Sequence, residues 1–142
     1  MGFFYFYHMD IKQYLDSTYL KTPEQAGLSD SENEKVARGF IQEAIDEKFK
    51  LIMIRPDKVS LASKMISDAK SKVLVGTVIG FPEGNYSLEQ KLEEAKKAIE
   101  DGADELDFVC NYEAFKKGQI DFVQEEILQG TKLGISSHKT VK

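Results

Sequence analysis

The hydrophobic positions along this chain follow two periods, one typical of helices and one typical of buried strands. Apolar residues spaced three and four apart predict helices over residues 32–48, 56–72, 88–100 and 113–134. Short apolar runs between them predict strands at residues 49–54, 73–79 and 105–109, and the Ser, Thr and Tyr of DSTYLK predict a first strand at 16–21. Strands that alternate with helices in this way predict a right-handed α/β fold with a parallel sheet, either open or part of a barrel.

One complete βαβ unit is contained in residues 77–111. Its first strand ends in the turn GFPEG, and Ser87 forms a capping box with Gln90 at the start of the following helix. Parallel strands have their carboxyl ends at the same edge of a sheet. Residues 77–81 and 107–111 are therefore expected to face a shared site.

Composition and charge narrow the class of protein. The chain has 142 residues and a net charge of −5, with its lysines and glutamates interspersed, so no basic stripe suggests a nucleic-acid partner. No apolar run approaches the roughly 20 residues that a membrane helix needs. The single cysteine, Cys110, excludes an internal disulfide and fits a reducing compartment. One globular domain in the cytoplasm is expected.

The aromatic start of the chain, MGFFYFYHM, differs from the polar sequence after it. It has neither the basic flank nor the small-residue cleavage site of a signal peptide. Because Met9 followed by DIKQYL is a natural start, residues 1–9 are interpreted as a non-native or flexible extension, and residues 10–142 as the domain. The alternative is that these aromatic residues form a hydrophobic contact arm.

Carboxylates at the ends of two predicted strands are the first candidates for chemistry. Asp107 lies within an apolar frame, where a carboxylate is costly unless it is paired or used, and it could relay a proton with a neighbouring lysine. The alternative is that it faces the polar side of an edge strand. Asp16, Ser17 and Thr18 are expected to converge with Asp107 on the same face, although ordinary turn chemistry also explains them.

Two other features give no cofactor or metal site. The turn with Gly80, Pro82 and Gly84 matches neither the dinucleotide pattern nor the P-loop pattern, which leaves a rigid turn that a ligand could approach. Cys110 has no histidine nearby in sequence, so a buried strand thiol is expected rather than a nucleophile. Without a cluster at ligand spacing, no zinc site and no cofactor are expected.

Several segments resemble successive parts of deoxyribose-phosphate aldolases. They are LDSTYLK, LIMIRPDKV, VLVGTVIGFPEGNYSLEQKLEEAKKAIEDGADELDFV and NYEAFKKGQIDFVQEEI. The resemblance implies a TIM barrel and a metal-free class I aldolase that cleaves 2-deoxyribose 5-phosphate through a lysine Schiff base. It implies that Asp107 assists a lysine in proton transfer and that Asp16 and Thr18 line the substrate pocket. Met53 stands where many members have cysteine.

The resemblance covers only the first part of such a barrel. In the family the Schiff-base lysine and its assisting lysine lie on strands six and seven, and Lys139 and Lys142 do not match these positions. The expectation is a half barrel of about four βα units, with strands one and four as open edges and little or no activity alone. The alternative is a non-catalytic half barrel that binds a sugar phosphate or self-associates, so a homo-oligomer is a possible assembly.

Overall fold

The computed structural model describes residues 10–142 and contains one parallel five-stranded sheet. Its strands follow one another in chain order: β1 (Asp16–Tyr19), β2 (Leu51–Ile54), β3 (Leu74–Ile79), β4 (Glu105–Phe108) and β5 (Thr140–Val141). Each strand pairs in parallel with the next, so the connections between them are crossovers. The predicted α/β class with a parallel sheet is confirmed.

Helices form the connections between strands. They are α1 (Pro23–Ala26), α2 (Asp30–Glu47), α3 (Val59–Asp68), α4 (Leu88–Glu100), α5 (Tyr112–Lys116) and α6 (Ile120–Ser136), with short 3-10 helices at Ile11–Tyr14 and Pro56–Lys58. The predicted capping box at the start of α4 is present, because the Ser87 side chain accepts from the backbone of Gln90 and the Gln90 side chain accepts from the backbone of Ser87.

The prediction of one continuous helix over residues 113–134 is wrong. Two helices occupy that region, and they are separated around Gly118, whose φ of 77° lies in the left-handed region. The helix predicted over residues 56–72 is also shorter than expected. It ends at Asp68, and Lys70 beyond it has a φ of 51°, which no continuing α-helix accepts.

The fifth strand was absent from the sequence prediction. Thr140 pairs with Glu105 and Val141 with Leu106, and the amide of Lys142 donates to the carbonyl of Leu106 at 2.9 Å. The expectation that strand four is an open edge is therefore wrong. In residues 10–142 the edges are β1 and β5, because the free backbone groups of β4 recruit a segment too short and polar to be recognised alone.

The sheet has two unlike faces. The main core lies between the sheet and the helices, and Ile52, Ile54, Val75, Ile79 and Leu106 contribute to it from the strands. A second, smaller cluster of Leu51, Met53 and Val78 covers the opposite face, which is called the inner face below. The alternation of side chains along each strand assigns every strand residue to one of these faces.

None of the helices in residues 10–142 has the length and apolar character that crossing a membrane requires. The N-terminal extension predicted over residues 1–9 lies outside the described residues. Its two interpretations, an extension or a contact arm, stay predictions.

Candidate functional site

Strand register places the predicted site residues on the inner face. Thr18 pairs with Met53 of the inner-face cluster, and Asp16 lies two residues before Thr18. Asp107 pairs with Val78 of the same cluster. Because side chains two residues apart along a strand share a face, Asp16, Thr18 and Asp107 all project to the inner face.

Ser17 does not join this group. Its neighbour Tyr19 packs against the core on the helix side of the sheet and stacks on Phe40 at 5.0 Å between ring centroids. Ser17 lies two residues before Tyr19 and so projects to the helix side as well. The expectation that Ser17 converges with Asp107 is wrong, because alternation along β1 separates it from Asp16 and Thr18.

An ion pair joins the two edges of the sheet across the inner face. The Lys142 ammonium, directly after β5, lies 3.2 Å from Oδ2 of Asp16 on β1 and 2.5 Å from Oε1 of Glu105 on β4. β1 and β5 are the outermost of five strands, so their side chains meet only because the sheet is strongly curved. The inner face is therefore the floor of a trough with acids on both of its sides.

Glu105 is the buried member of this cluster. Its side chain is 4% exposed, and the ammonium of Lys142, 2.5 Å from its Oε1, supplies its compensating charge. The Glu105 carboxylate is the largest cause that raises the pKa of Lys142, and Asp16 adds to this, while burial acts in the opposite direction. Lys142 thus carries a positive charge at neutral pH.

Sequence reasoning missed Glu105 and Lys142 as members of the site. Glu105 is the first residue of a largely apolar strand, and a carboxylate at such a position could have indicated a paired or functional group. Lys142 gave none, because it is separated from Asp16 by 126 residues and reaches it only through curvature of the sheet.

Lys142→Met is expected to lower the free energy of unfolding by about 1–2 kcal/mol at pH 8, a figure reduced because the Lys142 side chain is 45% exposed. The pKa of Lys142 is raised by folding, so the stabilisation is complete below its ordinary pKa of 10.5 and is lost as pH rises through the higher pKa of the folded state. Urea unfolding at pH 8, where the stabilisation is complete, and at about pH 11.5, where part of it should be lost, measures this, with the exposed Lys35→Met as control. Equal stabilities of the wild type and Lys142→Met at pH 8 would contradict it.

The loops after β3 and β4 are in close contact at the edge of the sheet where these two strands end. Gly84 has a φ of 64°, and a Cβ there would lie 2.2 Å from the carbonyl oxygen of Cys110. The Tyr112 hydroxyl donates to Glu83 across the same junction, and the Glu83 carboxylate raises the pKa of Tyr112. The group that approaches Gly84 closely is thus the backbone of the loop after β4.

Cys110 is exposed, so the expectation of a buried strand thiol is wrong. β4 ends at Phe108, two residues earlier, and Cys110 lies in the loop that leads to α5. In residues 10–142 no three His, Cys, Asp or Glu side chains are grouped closely enough to hold a metal ion.

A parallel sheet whose strands follow chain order, curved into a trough and connected by helices, is the arrangement of part of a TIM barrel. The chain is 39% identical over 134 residues to deoxyribose-phosphate aldolase of Thermococcus gammatolerans, an alignment that covers 94% of this chain and 56% of that protein. The chain belongs to the deoxyribose-phosphate aldolase family. It spans about half the length of the curated relatives that it matches.

Other relatives agree. Deoxyribose-phosphate aldolase of Metamycoplasma hominis is 41% identical over 118 residues, covering 83% of this chain and 50% of that protein. Among solved structures, an aldolase called QR15 superposes with a TM-score of 0.76 at 33% identity, over 94% of this chain and 55% of that one. The tetrameric deoxyribose phosphate aldolase from Aeropyrum pernix gives a TM-score of 0.73 at 29% identity, over 93% of this chain and 50% of its own. No family model matches the sequence.

Proposed function

We propose that this chain supplies part of the active site of a deoxyribose-phosphate aldolase. The reaction would cleave 2-deoxy-D-ribose 5-phosphate into D-glyceraldehyde 3-phosphate and acetaldehyde through a lysine Schiff base, in deoxyribonucleotide catabolism in the cytoplasm. The observation that carries the proposal is the gathering of Asp16, Thr18 and Asp107 on one inner face in a chain of this family.

The proposed roles follow from the side-chain chemistry. Asp16 and Thr18 would accept from and donate to hydroxyl groups of the sugar phosphate, since a carboxylate accepts and a hydroxyl does both. Asp107 would hold a proton relay together with a lysine, as a carboxylate does when it shares a proton with a neighbouring base. In residues 10–142 no hydrogen bond or ion pair involves the Asp107 side chain, so it is available for such a partner.

We propose further that these 142 residues have little or no aldolase activity on their own. Schiff-base formation requires a lysine whose amine is free of its proton. Lys142, the lysine on the inner face, is ion-paired with two carboxylates that raise its pKa. Lys91 is buried in an ion pair with Glu126, at 2.7 Å. Neither amine is therefore free to attack a carbonyl carbon.

Titration with 2-deoxyribose 5-phosphate tests the proposal. We expect the NMR resonances of Asp16, Thr18 and Asp107 to shift, while coupled assays find no glyceraldehyde 3-phosphate and borohydride traps no covalent adduct. Thr18→Ala is expected to weaken binding by about two- to tenfold, because one hydrogen bond is worth roughly 0.5–1.5 kcal/mol. Ser17→Ala is the matched control, since Ser17 projects to the other face of the same strand. Absence of any shift would refute a sugar-phosphate site, and a trapped adduct would refute the inactivity of the chain.

A second candidate is a non-catalytic half barrel that binds a partner subunit. Large apolar side chains in and near α5 and α6 favour it, because they stay exposed although such groups are usually covered. They are Phe115, Phe122, Ile127, Leu128 and Ile135. In the same titration this candidate is distinguished by a dimeric mass in sedimentation, with no resonance shift on addition of the sugar phosphate.

A further inference from the structure

A buried ion pair lies on the helix side of the sheet, away from the inner face. The Lys91 ammonium on α4 is 2.7 Å from Oε1 of Glu126 on α6, and the two side chains are 1% and 4% exposed. Removing two charges from water costs several kcal/mol for each ion, and a well-packed apolar pair is often as stable or more so. Stability alone therefore does not account for a charged pair at this position.

The pair holds the backbone that follows β4. The Lys91 ammonium donates to the carbonyl of Val109 at 2.9 Å, and Oε2 of Glu126 accepts from the amide of Asn111 at 3.0 Å. One end of the tripeptide 109–111 is thus bonded to Lys91 and the other end to Glu126, the two members of the ion pair. An apolar pair would fill the space but could make neither bond.

The same lysine also contacts the loop after β3. Its side chain runs beneath Gly80, where a Cβ would lie 2.9 Å from the Lys91 Cε, and Glu94, one turn further along α4, accepts from the Gly80 amide at 2.8 Å. Helix α4 is therefore bonded to the loops that follow both strands of the βαβ unit. These two loops lie at the edge where the carboxyl ends of the strands face a site.

We propose that Lys91 and Glu126 are positioning residues for Asp107, which rests on the role proposed for Asp107 above. The Asp107 carboxylate makes no hydrogen bond within residues 10–142, so the backbone of β4 sets its place. The ladder to β5 ends with the bond from the Phe108 amide to Lys142, and beyond it the amide of Val109 donates to Ile79 at 2.9 Å. The ion pair provides the remaining bonds that fix this end of the strand.

Two double variants test the proposal. Lys91→Met with Glu126→Gln removes both charges but keeps an amide oxygen that accepts from Asn111, whereas Lys91→Met with Glu126→Leu removes that acceptor too. We expect amide hydrogen exchange at Asn111 to be about tenfold faster in the leucine variant and within about threefold of wild type in the glutamine variant. The carboxyl 13C resonance of Asp107 is expected to move in both variants, because both lose the bond from Lys91 to Val109, and to move further in the leucine variant.

The control is the exposed i,i+4 pair on α3, with Lys64→Met and Asp68→Leu, which should change neither reading. Equal exchange at Asn111 in the glutamine and leucine variants, or an unmoved Asp107 resonance in both, would show that the pair acts in stability alone. These readings need no substrate. Failure of the wild-type chain to bind 2-deoxyribose 5-phosphate would instead refute the proposed function and leave the positioning result standing.

A second pair of variants avoids the buried charges, so the test does not depend on the double variants folding. Asn111→Pro removes the amide hydrogen that Glu126 accepts, and the φ of −73° at this residue suits proline. Asn111→Ala removes only the side-chain cap of α5, which Asn111→Pro also loses. The proposal requires a larger shift of the Asp107 resonance in Asn111→Pro than in Asn111→Ala, and equal shifts would overturn it.

Discussion

Lys91→Met is expected to lower the free energy of unfolding by about 3–5 kcal/mol, because it leaves the Glu126 carboxylate buried without its counter-charge. The bond from Lys91 to the carbonyl of Val109 is lost in the same variant. Urea unfolding followed by circular dichroism measures the change, and the midpoint should fall with little change in the slope. Lys64→Met removes an exposed lysine paired one turn away, and its effect should stay within about 0.5 kcal/mol.

The double variant Lys91→Met with Glu126→Leu tests whether the loss in Lys91→Met comes from the unpaired Glu126 carboxylate. It removes both charges together, so most of the stability lost in the single variant should return. A loss below about 1 kcal/mol in Lys91→Met would mean that water reaches Glu126 and that the pair is not desolvated.

Gly84→Ala is expected to cost about 2–4 kcal/mol, because two penalties combine at this residue. Its φ of 64° is unfavourable for alanine, and the added Cβ would lie 2.2 Å from the carbonyl oxygen and 2.8 Å from the carbonyl carbon of Cys110. The contacted atoms are backbone and cannot turn aside as a flexible side chain would. Thermal and urea unfolding measure the loss.

Gly118→Ala is the matched control, because Gly118 has a φ of 77° and open space around a Cβ. It should show the conformational penalty alone, about 1 kcal/mol. Gly39→Ala in the interior of α2, with no contact within 4 Å, should stabilise the chain by about 0.5–1 kcal/mol. Equal losses in Gly84→Ala and Gly118→Ala would show that the two loops can separate without cost.

The hydrophobic pattern was sufficient to predict those elements that bury apolar residues. β2, β3 and β4 are apolar runs and α2, α3 and α4 carry apolar stripes, so each of these elements can be recognised from its own sequence. β5 is two residues long and exists because β4 offers free backbone groups, which is a property of another segment. The break between α5 and α6 was missed because apolar residues continue on both sides of Gly118.

The sequence also predicted only some of the residues of the candidate site. Asp107 was recognisable as a carboxylate in an apolar frame, and Asp16 and Thr18 as polar residues on predicted strand one, although only the family resemblance gave these two a role in substrate binding. The contact of Lys142 with Asp16 depends on curvature accumulated over all five strands, and no local pattern encodes such a distance. Ser17 and Cys110 were misplaced because strand alternation and the exact end of β4 decide their surroundings.

Strand order has a consequence for the way in which the chain reaches its fold. Every strand of the sheet pairs with the strand before it in sequence, so each new βα unit can add to a finished edge as it is synthesised. The bond between Asp16 and Lys142 is different, because it joins residues 126 positions apart and needs all five strands in place. It can form only after β1 to β5 have paired and the curvature of the sheet has brought its two residues together, so it depends on every strand of the sheet.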